Sequence, residues 1–183
     1  MKTHLLIAAL LVVSLFSSAQ TEEKKDKLSR KERKELRKIE KEETRKKVTK
    51  LIEGKQYVLK ANYLKNPYGS YLSVDDTRNF IWVDSVLSVV QFSSFRTIAA
   101  GGEVGVTVEG KVFDYEQYVK GKSNSTFIRF NINSLKGNYW VVIDVRPNGK
   151  ADAEVYSPNG KRMDFSGKLV SIDEAGVLKG KGY

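Results

Sequence analysis

The sequence predicts an all-β fold: a single antiparallel meander domain of about nine strands, built as a sandwich or an up-and-down barrel and preceded by a charged N-terminal α-helix. Three observations predict it. From Lys55 onward apolar residues recur at every second position, as in strands with one buried face. Between those runs stand clusters of Gly, Pro, Asn and Asp, which permit or preset the dihedrals of turns. Ahead of them lies a stretch rich in Lys, Arg and Glu that lacks Pro and Gly, a composition that favours helix. A chain of 183 residues that is 40% apolar suits one domain with appendages.

The first element is a signal peptide over residues 1–19. Lys2 supplies a positive start, residues 5–16 form a short apolar run, and Ser17-Ser18-Ala19 offers small residues at a cleavage position before Gln20. The run is shorter than the roughly 18 apolar residues that span a bilayer. The chain has no cysteine, so it forms no disulfide and carries no thiol for a lipid. The expected location is therefore periplasmic or secreted, soluble and not lipid-anchored. His4, the only histidine, leaves with the signal peptide. Without imidazole or thiol, the processed chain cannot use Ser-His-Asp or Cys-His catalysis, or His/Cys zinc sites.

The second element, residues 20–53, is a charged helical spacer. From Glu22 to Lys50 there are 14 Lys and Arg against 8 Asp and Glu, a net of +6 out of a formal +10 for the whole chain. Ser29 and Glu32 match a capping box, in which each side chain satisfies an unpaired N–H at the helix start. Gly54 is a suitable stop, because glycine tolerates the left-handed conformation that ends helices. The helix is expected near Arg30 to Glu53. Glu42/Lys46 and Glu43/Lys47 sit four apart with the acid first, worth about 0.3 kcal/mol each. Apolar residues are sparse until Val48, Leu51 and Ile52, so only the last turns should dock. Export argues against nucleic acid as a partner. The interleaved charge allows at most a weak peripheral contact with anionic surfaces through Glu22 to Lys50.

Residues 54–183 form the antiparallel β domain. "QYVLKANY" places Tyr57, Leu59, Ala61 and Tyr63 on one side. "EVGVTVEGKV" does the same for Val104, Val106, Val108 and Val112, with Thr107, Glu109 and Lys111 opposite. Ile128, Phe130 and Ile132 share a face, as do Tyr139, Val141, Ile143 and Val145, then Ala151, Ala153 and Val155, and finally Met163 and Phe165. Asp144, Asp152, Glu154 and Asp164 fall on the other, wet side.

Turn residues separate these runs at Asn66-Pro67-Tyr68-Gly69, Asp75-Asp76, Asp84-Ser85, Gly101-Gly102, at residues 121–124, and at Lys136-Gly137-Asn138. Pro-Asn-Gly occurs twice, at Pro147 to Gly149 and Pro158 to Gly160. The flanking strands do not match, so the triplets are turns and no internal repeat. Each proline stands where a ladder ends, and Asn-Gly closes the reversal.

The order of "VLKANY", "VDSVLSVV", a double glycine before "VTVEGKVFDY", "FIRFNI" and "VRPNGKADAEVYSPNGKRMDFSGKL" resembles the bacterial family called domain of unknown function 4251, over residues 44–175. The resemblance implies an exported protein, often a lipoprotein; the missing cysteine argues against the lipid here. It also implies a Leu-Pro-Tyr-Phe-Gly-like turn where this chain reads Val90-Gln91-Phe92-Ser93-Ser94-Phe95. It implies no activity and no site residues.

Without histidine, paired carboxylates are the remaining route to hydrolysis, as in glycosidases. The candidates are Asp75/Asp76, Asp114/Glu116 and Asp152/Glu154, and each reads more simply as solvated acids. Asp75 to Asn79 lacks the spacing of a calcium loop, and Gly101-Gly102-Glu103 lacks a phosphate-loop pattern. No catalytic residue, metal ligand or cofactor is expected. Aromatic residues at loops and strand ends offer binding candidates: Tyr68, Tyr71, Phe92, Phe95 and Arg96, with Arg129 beside further rings. Phe113, Tyr115 and Tyr118 form a further cluster that reads as core. The expected function is a non-enzymatic exported domain binding a small apolar ligand, a glycan or an envelope partner; the alternative is a carboxylate-dependent, glycosidase-like hydrolase.

Overall fold

The computed structural model describes residues 29–65, 70–93 and 105–180. The signal peptide, Gly101-Gly102 and the candidates Tyr68, Phe95 and Arg96 lie outside them. Helix α1 spans Arg30–Glu53. Its capping box is formed: the Ser29 amide donates to Glu32 Oε2 at 2.8 Å and the Glu32 amide to Ser29 Oγ at 3.3 Å. These bonds hold the Glu32 carboxyl below its usual pKa. At the other end the expectation needs correcting, because the left-handed residue is Lys55, at φ 52°, and not Gly54. Lys55 turns the chain out of the helix with its amide still bonded to Ile52 O at 3.0 Å.

Nine strands follow: β1 (Gln56–Lys65), β2 (Tyr71–Ser73), β3 (Phe80–Asp84), β4 (Leu87–Phe92), β5 (Val106–Lys120), β6 (Ser125–Ser134), β7 (Gly137–Val145), β8 (Lys150–Tyr156) and β9 (Arg162–Val170). Each from β3 onward pairs antiparallel with its successor, and β9 returns to pair with β1. The sheet is therefore an eight-stranded closed barrel, which decides between barrel and sandwich. The ninth strand, β2, extends the edge that β3 occupies, pairing with Tyr63 to Lys65 where β3 pairs with Gln56 to Lys60.

The inward residues are those that alternation selects. Ile128, Phe130, Ile132, Val141, Ile143 and Val145 are all at most 1% exposed. Removing each such side chain from water contributes about 1.5–3 kcal/mol. Tyr63 is the exception among the β1 residues expected inside. Ala61 pairs with Gly167 and Tyr63 with Ser166, so one extra residue, Asn62, reverses the phase. Tyr63 then points out at 48% exposure and Leu64 takes the inner position. Val106 keeps its face but lies at the rim and is 40% exposed.

The last turns of α1 pack on the barrel core, where Val48 and Ile52 belong to the same apolar cluster as Tyr57 and Leu169. At this level Tyr57 is fully buried, with its hydroxyl 3.3 Å from that of Tyr115. Burial raises the pKa of Tyr57 well above the phenol value and, to a lesser degree, that of Tyr115.

A second layer covers part of the outside. After β9 the chain forms a short helix α2 (Ile172–Ala175) and an extended strap to Gly180, laid over β1, β3, β4 and β5. Ala175, Ile172 and Val177 pack on the outward Val58, Phe80, Trp82 and Val89. The buried Gln91 amide donates to Leu178 O at 2.8 Å, and its oxygen accepts from the Gly180 amide at 2.7 Å. Thr107, expected on the wet face, is buried beneath this strap, where its hydroxyl bonds the same glutamine. Among the described residues no helix is long and apolar enough to cross a membrane.

Candidate functional site

Strand register sets the outward residues of β6–β9 and β1 in transverse rows. One row is Asn131, Trp140, Tyr156 and Arg162; the next is Arg129, Val142, Glu154, Asp164 and Lys65; the third is Phe127, Asp144, Asp152, Ser166 and Tyr63. Period-two alternation thus collects acids from three strands into one patch. The last two rows apart from Arg129 and Tyr63, together with Tyr71, line a groove of about 330 Å³ with four carboxylates, those of Asp144, Asp152, Glu154 and Asp164, and one ammonium, that of Lys65.

Most of these carboxylates are held in place by neighbours. Asp152 accepts from Ser166 Oγ at 2.6 Å and is paired with Arg146. Glu154 accepts from the Tyr156 hydroxyl, a bond that raises the tyrosine pKa, and lies 3.8 Å from Arg162. Arg162 NH2 donates to Asp164 Oδ2 at 3.0 Å, while its Nε makes an ionic contact with Oδ1 at 2.9 Å without hydrogen-bond alignment. Asp144 Oδ1, like Asp164 Oδ1, is shielded from solvent and has no hydrogen-bond partner among the described residues, but it lacks the arginine contact that Asp164 has. Aromatic rings stand along the same outer face. Trp140, 46% exposed, stacks on Tyr156 at 5.2 Å. Tyr71 meets Tyr63 edge-on at 6.4 Å, and Lys65 Nζ lies 5.7 Å from the Tyr71 ring centre.

Of the binding candidates read from sequence, Tyr71 belongs to this groove and Phe92 does not. Phe92 packs on the barrel core, 6.5 Å from the Phe165 ring. Arg129 lies on the outer face but is held by Glu116 at 2.6 and 2.8 Å. Asp114, the other member of that acid pair, is a bulge residue at φ 52° and accepts from Asn131 at 3.3 Å. Of the aromatic cluster expected in the core, Tyr115 stacks on Phe130 at 5.8 Å, but Phe113 and Tyr118 are 38% and 50% exposed. They precede or follow the bulge, in the part of β5 that pairs with β6 but has no β4 strand beside it.

Asp75 and Asp76 are structural. Asp75 Oδ1 accepts from Thr77 N at 2.9 Å and Oγ1 at 2.7 Å, which lowers its pKa, and Asp76 pairs with Lys60 at 3.3 Å. Among the described residues no group of three or more acidic side chains is arranged to hold a metal ion. Trp140, Tyr156, Phe127 and Asp144 were not legible as site residues, because alternation assigns them a face without saying which strands lie beside them. The one available signal was the density of acids and rings on the outward positions of β7 to β9.

No curated protein matches the chain. Among solved structures it is similar to the crystal structure of a DUF4251 family protein from Bacteroides eggerthii DSM 20697, at TM-score 0.62 and 22% identity, covering 76% of this chain and 95% of that one. That likeness supports the barrel. The family described as Domain of unknown function (DUF4251) matches residues 39–169, from within α1 to the end of β9. With that match spanning most of the sequence, the chain belongs to the DUF4251 family.

Proposed function

We propose that this protein is an exported, non-enzymatic binding module whose outer groove takes a glycan of neutral or amine-bearing sugars. The observation that carries this reading is the unpartnered Asp144 Oδ1 in a groove walled by Phe127 and Tyr71. A shielded carboxylate oxygen without a donor is costly unless a ligand supplies one, and sugar hydroxyls and ammonium groups are donors. The exposed face of Trp140, in the row beside Val142, suits the apolar face of a sugar ring. Four carboxylates outnumber the three cations beside them, Lys65, Arg146 and Arg162, and the two arginines are already engaged, which disfavours acidic sugars.

Binding is favoured over hydrolysis by the same contacts. A glycosidase needs one carboxyl to give a proton and another to attack or activate water. Asp152 and Glu154 are instead tied to Arg146, Ser166, Tyr156 and Arg162. An apolar ligand inside the barrel is less well supported, since Phe130, Phe165, Ile128 and Ile143 fill the interior. In this reading the charged segment ahead of the barrel is a solvated spacer, with no role for nucleic acid.

Titration calorimetry against immobilisation-free oligosaccharides tests the proposal. Asp144→Ala should weaken binding about tenfold, the effect of losing one charge-assisted contact, and Trp140→Ala should weaken it by about the same factor through lost stacking, each with little change in melting temperature. Failure of every neutral and amino glycan to bind would overturn the glycan reading. Release of shortened sugars on long incubation would overturn the non-enzymatic one.

A further inference from the structure

β5 outruns its neighbour. β4 pairs with Val106 to Lys111, yet β5 continues to Lys120, and beyond the bulge between Phe113 and Glu116 its residues pair with β6. Among the described residues no strand lies along the other edge of Glu116 to Lys120. All five of these residues are exposed, Tyr118 at 50% and Val119 at 65%. Glu116 to Lys120 thus present one open edge on a strand whose other edge is paired to the barrel wall, and its outward N–H and C=O groups are a template for another strand.

That edge is complementary to itself. Laid antiparallel about Tyr118, the sequence Glu116-Gln117-Tyr118-Val119-Lys120 places Glu116 across from Lys120, Gln117 across from Val119, and Tyr118 across from Tyr118. We propose that two copies of this chain pair through residues 116–120, with a two-fold axis at Tyr118, joining the two barrel walls edge to edge. An interface of this kind is isologous, so each favourable pair occurs twice. Lysine and glutamate on an edge usually discourage pairing; in this register the opposite charges meet. Glu116 holds Arg129 through Oε2, which leaves Oε1 for Lys120 of the second copy. Tyr118 already packs on Phe127 at 5.3 Å, so pairing brings four rings together.

The chain has no cysteine, which makes cross-linking a direct test of register. Directly opposed residues in an antiparallel pair have Cα atoms about 4.5–5.5 Å apart, within disulfide range. Tyr118→Cys should therefore oxidise to a covalent dimer, and Lys120→Cys, four positions from its own copy, should not. Sedimentation of the unmodified protein should show mass rising from monomer toward dimer with concentration. Lys120→Glu sets two glutamates opposite each other and should weaken association at least tenfold, while Lys120→Arg should preserve it; both are exposed changes that leave the barrel intact. Equal cross-linking at the two cysteine positions, or a monomer at all concentrations, would overturn the proposal.

Discussion

The two Pro-Asn-Gly triplets show how three residues fix a hairpin. In the first, Gly149 N bonds Arg146 O at 2.9 Å and Arg146 N bonds Lys150 O at 2.8 Å; the second repeats this with Gly160 and Ser157 at 3.0 Å and Ser157 and Lys161 at 2.9 Å. Each is a type I turn followed by a left-handed residue, with proline presetting φ at the second position. Asn148 Oδ1 accepts from Lys150 N at 3.1 Å, which braces the turn. The left-handed residues are Gly149 and Gly160, at φ 80° and 77°. A valine there meets the steric cost of its Cβ in that region, about 1–2 kcal/mol. Gly149→Val should cost the most, since its Cβ also lies 3.4 Å from Val48 Cγ2, whereas Gly160 faces open space. Gly121 has neither a positive φ nor a neighbour within 4 Å, so Gly121→Val should be nearly neutral. Denaturant melts of the three variants check this order, and a Gly121→Val cost matching that of Gly149→Val would contradict it. Residue chemistry of this kind was legible: both turns and the Ser29/Glu32 cap read directly from sequence. Lys55 was not, because a lysine gives no sign that it will take the left-handed position that Gly54 could have taken.

Elements were legible where one face meets water and obscure where both are covered. β6, β7 and β8 alternate cleanly, and the helix ends where its composition changes. β1, β3 and β4 read "YVLKA", "FIWVD" and "LSVVQF", and their outward Val58, Phe80, Val89 and Gln91 are buried by the strap. Residues 171–180 carry no strong period of their own, so their role depends on the face they cover. That role gives the strap a measurable weight. Ending the chain after Val170 uncovers three apolar side chains now at most 4% exposed, Val58, Phe80 and Val89, and removes two of the hydrogen bonds of the Gln91 amide. At about 1.5–3 kcal/mol per side chain and about 0.5–1.5 for each lost hydrogen bond, the truncated chain should lose several kcal/mol. Thermal unfolding would show it as a large fall in melting temperature; an unchanged midpoint would mean that the strap is not part of the cooperative unit. Lys47 and Glu174, 2.6 Å apart, tie α2 to the end of α1. The hydrogen bond from Lys47, with Ser171, lowers the Glu174 pKa. Its contribution is present above the unfolded carboxyl pKa and lost as pH falls through the folded one. Both side chains are more than half exposed, so that contribution is small.

At the scale of the whole molecule, alternation could supply nine strands and their faces but could not distinguish a barrel from a sandwich, because the distinction rests on one pairing. That pairing joins β1 to β9, over a hundred residues later in the chain, and it closes at a narrow point. Gly167 lies opposite Ala61 on one side and Ala151 on the other, at the bulge that admits Asn62. A Cβ on Gly167 would fall 1.9 Å from Lys60 O and 2.8 Å from Ala61 Cα, both backbone atoms that cannot yield without parting the strands. The three small residues Ala61, Gly167 and Ala151 therefore let β1, β9 and β8 approach closely enough to close the barrel. Gly167→Ala tests this more cleanly than a larger change, because alanine adds one methyl group and has no other reason to be refused in a strand. If the seam is the closing step, Gly167→Ala should cost more than Gly149→Val, although the latter adds three carbons at a strained φ. Amide exchange should then show where the cost falls. Protection should be lost first along β1 and β9, with the β6–β7 and β7–β8 ladders holding longer, since they are joined by short hairpins and need no closure. Uniform loss of protection across all strands, or a Gly167→Ala variant as stable as the parent, would show that the barrel closes by a wider cooperation than this one contact.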